Sequence, residues 1–207
     1  VESGSPFDLN FNPADLLVTI KQTAKKVLLP YGAFTPESLE SHVKSAMESA
    51  EKIGVNVTPL PITNFNETLI QATGMLDGHD AILYLEQDTI SKAGPALGKL
   101  ASQHNVTMLA GTIDGIKDAA LSYVADPACL ADMAFDLAKE ILINKKDPGS
   151  LPIVQAQVPR NLMINTKLCK EQDLAAIDIP AVVDRIRSNP QLAAVHDHII
   201  VDGIQYK

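Results

Sequence analysis

Short runs of β-branched and aliphatic residues alternate along this chain with longer stretches whose apolar positions recur at helical spacing. The first run, Lys26-Val27-Leu28-Leu29-Pro30, reads as a strand. Thr35-Pro36-Glu37 then reads as a helix start, with Thr as N-cap and Pro at the first helical position, where its missing N–H is no loss. Leu39, Val43, Ala46, Met47, Ala50 and Ile53 follow on one face of a helix with a period of about 3.6 residues. Gly54 supplies its stop. The unit repeats as a strand over 55–60, a polar turn Thr63-Asn64-Phe65-Asn66, a helix over 67–76, a strand over 81–85 and a helix over 89–104 capped by Asp88. A strand over 106–110 leads to Gly111-Thr112-Ile113-Asp114, an apolar stretch over 119–124, and a long helix over about 128–143. That helix carries an apolar stripe of Leu130, Met133, Ala134, Leu137, Ala138, Ile141 and Leu142. Lys145-Lys146-Asp147-Pro148-Gly149 marks a turn before two further strand candidates, over 153–158 and 162–165.

Four consecutive strand–helix units predict an α/β fold, a doubly wound parallel sheet with helices on both faces, because parallel strands need right-handed crossover connections. The architecture is flavodoxin-like or Rossmann-like. In such sheets ligands bind at the carboxyl ends of the strands, near the point where strand order reverses. That rule selects four loops: Tyr31-Gly32-Ala33-Phe34, Ile62-Thr63-Asn64, Glu86-Gln87-Asp88-Thr89 and Gly111-Thr112-Ile113-Asp114.

Composition narrows the function classes. The 207 residues suffice for one large domain or two small ones, and 46% hydrophobic with 20% charged residues is an ordinary globular balance. A net charge of -8 opposes broad attraction to nucleic acid or anionic membranes, so no nucleic-acid partner is expected. The apolar runs fall short of the about 20 residues that span a bilayer. The chain begins at Val1 without Met or a basic-plus-apolar leader, which leads to the expectation that any address signal has been removed. Cys129 and Cys169 are too few and too far apart for a disulfide framework or a C-x-x-C motif, and read as buried thiols. Three Asn-x-Ser/Thr triplets, at Asn56, Asn66 and Asn105, carry no weight outside a eukaryotic secretory setting.

The candidate chemistry is that of binding. Tyr31 and Phe34 stand together in one mouth loop of a chain with nine aromatic residues, placed either to stack on a planar ligand or to pack on a neighbouring helix. Asp88 serves as a helix cap, a partner for a ligand ammonium or hydroxyl, or both. His196-Asp197-His198 lacks a third ligand at recognised spacing, so no metal site is assigned. The chain has no phosphate-cradling, dinucleotide or nucleophile-elbow motif, and no nucleophile, base and orienter emerge, so neither cofactor nor catalysis is expected.

Five segments in order resemble the periplasmic solute-binding proteins of ATP-binding-cassette importers, type I class, in the tryptophan-type or uncharacterised substrate-binding lipoprotein branch. Lys25-Lys26-Val27-Leu28-Leu29-Pro30-Tyr31 is similar to the opening strand of that family's second lobe, and Glu48-Ser49-Ala50-Glu51-Lys52-Ile53-Gly54-Val55 to the helix-to-strand step after it. Asp80-Ala81-Ile82-Leu83-Tyr84 with Asp88-Thr89 resembles its ligand-side turn. The run from Gly115 to Tyr123 resembles its Gly-Ala-Leu-Ala-x-Tyr run, and Asn161-Leu162-Met163-Ile164-Asn165-Thr166-Lys167 its closing strand. Coverage runs from about Pro13 to Ala181. Leu85 stands for a customary Pro, Val124 for a Gly, and Gln172-Asp173 where a Gly usually ends the turn.

The resemblance implies a two-lobed clamshell that closes on a small solute, amino-acid-like or aromatic, and presents it to a membrane permease. It implies a periplasmic or extracytoplasmic setting with a lipoprotein anchor. This chain is expected to supply mainly the second lobe: residues 1–24 as a linker and lead-in helix, 25–176 as the α/β solute-binding lobe, and 177–207 as a C-terminal extension. The expected ligand-binding residues are Tyr31, Phe34, Asn64, Gln87, Asp88 and Thr112. The stripe over 128–143 then needs a cover, which an exposed sheet face, a swapped element or a homodimer partner would supply. The alternative reading is the effector-sensing domain of a transcription regulator with the same fold; an enzyme on a flavodoxin-like sheet lacks its catalytic constellation.

Overall fold

The computed structural model describes residues 13–32, 37–62, 65–84, 93–151, 160–190, 192 and 198–206. Eight strands form one sheet in the order β2-β1-β3-β4-β5-β6-β7-β8. Helix α1 (Pro13–Ile20) precedes β1 (Lys26–Gly32), α2 (Glu37–Lys52), β2 (Asn56–Ile62), α3 (Phe65–Leu76), β3 (Ala81–Tyr84), α4 (Gly94–Gln103), β4 (Thr107–Ala110) and β5 (Leu121–Ala125). These five strands run parallel, and sequence order reverses between β1 and β3.

Alternation along the strands divides the core. Val27, Leu29, Ala81, Leu83 and Leu109 face one apolar cluster with residues of α1, α2 and, further along the chain, α7 (Ile179–Ser188). Leu28, Ile82, Tyr84, Met108 and Ala110 face the other, beneath α3 and α4. Because side chains alternate with a period of two, each strand feeds both layers, and both faces of the sheet are covered. Fully buried leucines such as Leu16, Leu28, Leu97 and Leu109 each contribute about 1.5–3 kcal/mol of burial.

Several boundaries differ from expectation. Helix α4 is described from Gly94, with Ala93 at its cap and Pro95 in its first turn, where a missing N–H breaks no intrahelical bond, and the start expected at residue 89 lies outside the described residues. The proposed cap Asp88 lies outside the described residues, as do Thr35, Pro36 and the strand expected over 153–158. Helix α3 begins at Phe65, inside the expected turn. On α2, Val43 and Ala50 are buried as the stripe predicts, whereas Ile53 is 40% exposed. Strand β2 runs on to Ile62 through Pro59 and Pro61. The Asn56 amide donates inward to the Lys25 carbonyl, so residues 57, 59 and 61 turn their backbone outward, and prolines at two of them remove edge donors.

The sheet is parallel from β2 through β5, as expected, and mixed beyond it. Helix α5 (Pro127–Leu142) is capped by Asp126, whose Oδ1 accepts the Ala128 amide at 3.0 Å, and none of its residues is buried. It therefore does not cover the sheet as a crossover helix, and β6 (Arg160–Ile164) returns antiparallel to β5, pairing Ala125 with Arg160 and Leu121 with Ile164. The stretch after residue 176 contributes α7 and two strands. Asp178 caps α7 through the Ala181 amide, and Val182, Val183 and Ile186 are buried. β7 (Ile199–Val201) pairs parallel with β6 and turns into β8 (Ile204–Gln205) at Asp202-Gly203. Both turn residues have positive φ, 49° and 82°, as a two-residue type I′ hairpin requires.

Candidate functional site

The carboxyl ends of β1 to β4 lie on one rim of the sheet, beside the reversal between β1 and β3. Tyr31 stands at the end of β1, half-buried against the apolar cluster that holds α2. Thr112 follows β4 and is also half-buried. Phe34, Asn64, Gln87 and Asp88 lie outside the described residues.

The loop after β4 is fastened by its own polar groups. The Gly111 amide donates to the Tyr84 carbonyl at 2.8 Å, tying the loop's start to the end of β3. Buried Ser122 on β5 donates its hydroxyl to the Thr112 carbonyl. Thr112 Oγ1 accepts the Gly115 amide at 3.0 Å. A single 3-10 turn follows over Asp114–Lys117, and Asn165 Nδ2 donates to the Ile116 carbonyl at 3.0 Å. Gly115 is required there, because a Cβ would come within 2.5 Å of the Ala110 Cβ. Lys117 hydrogen-bonds Asp114 and holds its carboxyl below the usual range, whereas burial pushes the Asp118 carboxyl up. Gly115 and Ser122, in the run from Gly115 to Tyr123, and Asn165, in the closing-strand segment, were read only as parts of a resemblance, not as the groups that fasten this loop.

At the opposite end of the strands the chemistry is structural. Asp80 accepts the Lys25 and Lys26 amides at 2.8 Å each. Burial would raise its pKa, but those two bonds and the nearby Lys21 ammonium outweigh this and lower it. Cys169 is buried, and desolvation with the neighbouring Asp202 charge pushes its thiol up to about 11, so it stays an unreactive thiol at neutral pH. Cys129 is half-buried on α5. Among the described residues no group of three His, Cys, Asp or Glu converges as a metal site, and no helix is long and apolar enough to cross a membrane. A groove of about 620 Å³ lies between α2 and the start of β2, lined by Lys44, Met47, Glu48, Glu51 and Val57 among others, away from the strands' carboxyl ends.

Three solved structures share this fold. A conserved domain protein of Vibrio cholerae superposes with TM-score 0.68 at 20% identity, covering 84% of this chain and 57% of its own. The ligand-free, open form of a substrate binding protein with adhesive properties from Clostridium difficile gives 0.67 at 17% identity, covering 92% and 58%. An ABC domain from Streptococcus pneumonia in complex with L-Trp gives 0.66 at 19% identity, covering 84% and 60%. The chain thus spans less than two thirds of each of these structures. Comparison with curated proteins gives no match. A family model described as ABC transporter substrate binding protein matches residues 14–188. By that match, which takes in α1 through α7, the chain belongs to the ABC transporter substrate-binding protein family.

Proposed function

We propose that this chain is the solute-binding component, or one lobe of it, of an ABC-type import system, taking a small amino-acid-like or aromatic solute without catalysis. The observation that carries the reading is the family match over residues 14–188. The L-Trp complex of the Streptococcus pneumonia structure supports the solute class. The solute sits at the carboxyl ends of β1 to β4, with Tyr31, Phe34, Asn64, Gln87, Asp88 and Thr112 lining the mouth. The lobe comprises residues 25–176, with 1–24 leading in and 177–207 as an extension of the same sheet.

Transport follows from differential affinity. A solute that contacts two lobes when closed and one when open shifts the hinge equilibrium toward closure, and the closed form is the one a membrane permease recognises. The setting is extracytoplasmic, with a lipoprotein anchor. The exposed apolar stripe of α5 is the face that a second copy of the chain covers. Nothing in the fold or the comparisons favours the effector-sensing alternative. Calorimetric titration with a panel of L-amino acids, purines and sugars tests the reading. Saturable heat with an amino acid is the expected result; a panel without a binder contradicts it.

A further inference from the structure

In the loop after β4 the backbone is tied to its neighbours, and Ile113 stands exposed beside the exposed Asp114–Lys117 ion pair. The Gly111 amide, the Thr112 carbonyl and hydroxyl oxygens and the Ile116 carbonyl are all engaged, to Tyr84, Ser122, Gly115 and Asn165. Ile113, between those anchors, is 49% exposed. The other exposed large apolar residues stand elsewhere: Ile53 before β2, Ile70 on α3, Leu130, Phe135 and Leu142 on α5 with Ile143 just after it, and Ile204 on β8. Among the described residues, Ile113 is therefore the one held in a loop leaving a parallel strand, and β4 is the immediate neighbour of β3 at the reversal of strand order. An apolar side chain fixed by bonds on either side of it loses little further freedom when a ligand covers it, so burial there is converted to affinity at low ordering cost.

We infer that Ile113 is a specificity-determining residue, an apolar wall that selects solutes with an apolar or aromatic side chain over polar ones. This rests on the solute-binding reading above. Thr112, tied down through its carbonyl and hydroxyl oxygens, positions the wall. A hydrophobic contact of this size discriminates by about tenfold or more between side chains that fill it and those that do not.

The chain contains no tryptophan, so red-edge excitation reports on added L-tryptophan alone, and its anisotropy reads binding directly. The whole chain is expected to raise that anisotropy saturably. Ile113→Ser should weaken L-tryptophan binding about tenfold with an unchanged melting curve, and Ile113→Leu should restore it. Equal binding by wild type and Ile113→Ser overturns the inference while leaving the binding reading intact. So does a wild type that binds polar amino acids or sugars by calorimetry but neither L-tryptophan nor L-leucine. A wild type that binds no member of the panel overturns the binding reading and the inference with it.

Discussion

Lys21 and Asp173, distant in sequence, meet with Nζ 2.6 Å from Oδ2 at the amino ends of the strands. Lys21 is 7% exposed and also donates to the Asp80 carbonyl at 2.8 Å and to Thr107 Oγ1 at 3.2 Å. Asp173 holds a left-handed backbone, φ 56°, at the turn that follows Gln172. The side chain thus offsets that strain by pairing a buried ammonium. Asp173→Asn, which tolerates the same φ, is expected to cost about 1–3 kcal/mol in urea denaturation. A double-mutant cycle with Lys21→Met should give a coupling well above zero; additive losses would show that the pair contributes nothing.

Gln172 stands next to that pair and is fully buried. Its Oε1 accepts the Met108 amide at 3.2 Å and the Ala120 amide at 2.9 Å, and its Nε2 donates to the Asp118 carbonyl at 2.9 Å. The side chain bridges β4 and β5 just ahead of their first paired residues, Leu109 and Leu121. Gln172→Leu orphans two buried amides at once, and the expected cost is about 3 kcal/mol or more. A loss below about 1 kcal/mol would mean that water replaces the amide.

Asp202 ties the β7–β8 turn to α6 (Thr166–Glu171), accepting the Thr166 hydroxyl at 2.6 Å and its amide at 2.9 Å. Those two bonds hold its carboxyl below the usual range. A depressed folded-state pKa gives stability that is complete above the unfolded value of about 3.9 and is lost as pH falls through the folded value. Asp202→Asn keeps a residue suited to φ 49° and is expected to melt lower than wild type at neutral pH. The two melting curves should converge below about pH 3.9. A gap independent of pH would remove the charge from the explanation.

The apolar stripe of α5 is exposed at Leu130, 42%, and at Leu142, 67%. Replacing both with Ser is expected to change stability by no more than about 0.5 kcal/mol, as for other surface sites. The same variant should lower the sedimentation coefficient of the chain at high concentration if a second copy covers the stripe. An unchanged coefficient contradicts that cover, and a large loss of stability would place the stripe in the core.

The layered core was legible because its signals are local. The aliphatic runs marked β1 to β4, whereas the cap signals read at Thr35-Pro36 and Asp88 lie outside the described residues and the Asp126-Pro127 start of α5 was not read. The same kind of start, Asp178 followed by Pro180, opens α7, and Asp202-Gly203 is a hairpin signal, yet both lie in a stretch read as an extension. The antiparallel return of β6 was not legible, since it depends on α5 leaving the sheet uncovered. The rim was located by the strand-end rule, and Tyr31 and Thr112 fall on it. What a side chain does there was not legible: Thr112 is engaged by Ser122 and Gly115, and it is Ile113 that faces outward.

Solute binding at the carboxyl ends of the strands is tested most directly by amide chemical-shift mapping of the whole labelled chain during titration with L-tryptophan, which detects weak as well as tight binding. The expected result is saturable shifts at Tyr31 and in the loop from Gly111 to Gly115, with the amides of Lys21, Gln172 and Asp173 unmoved. Saturable shifts confined to the groove between α2 and β2, or shifts spread evenly over the sheet, would contradict the assigned site.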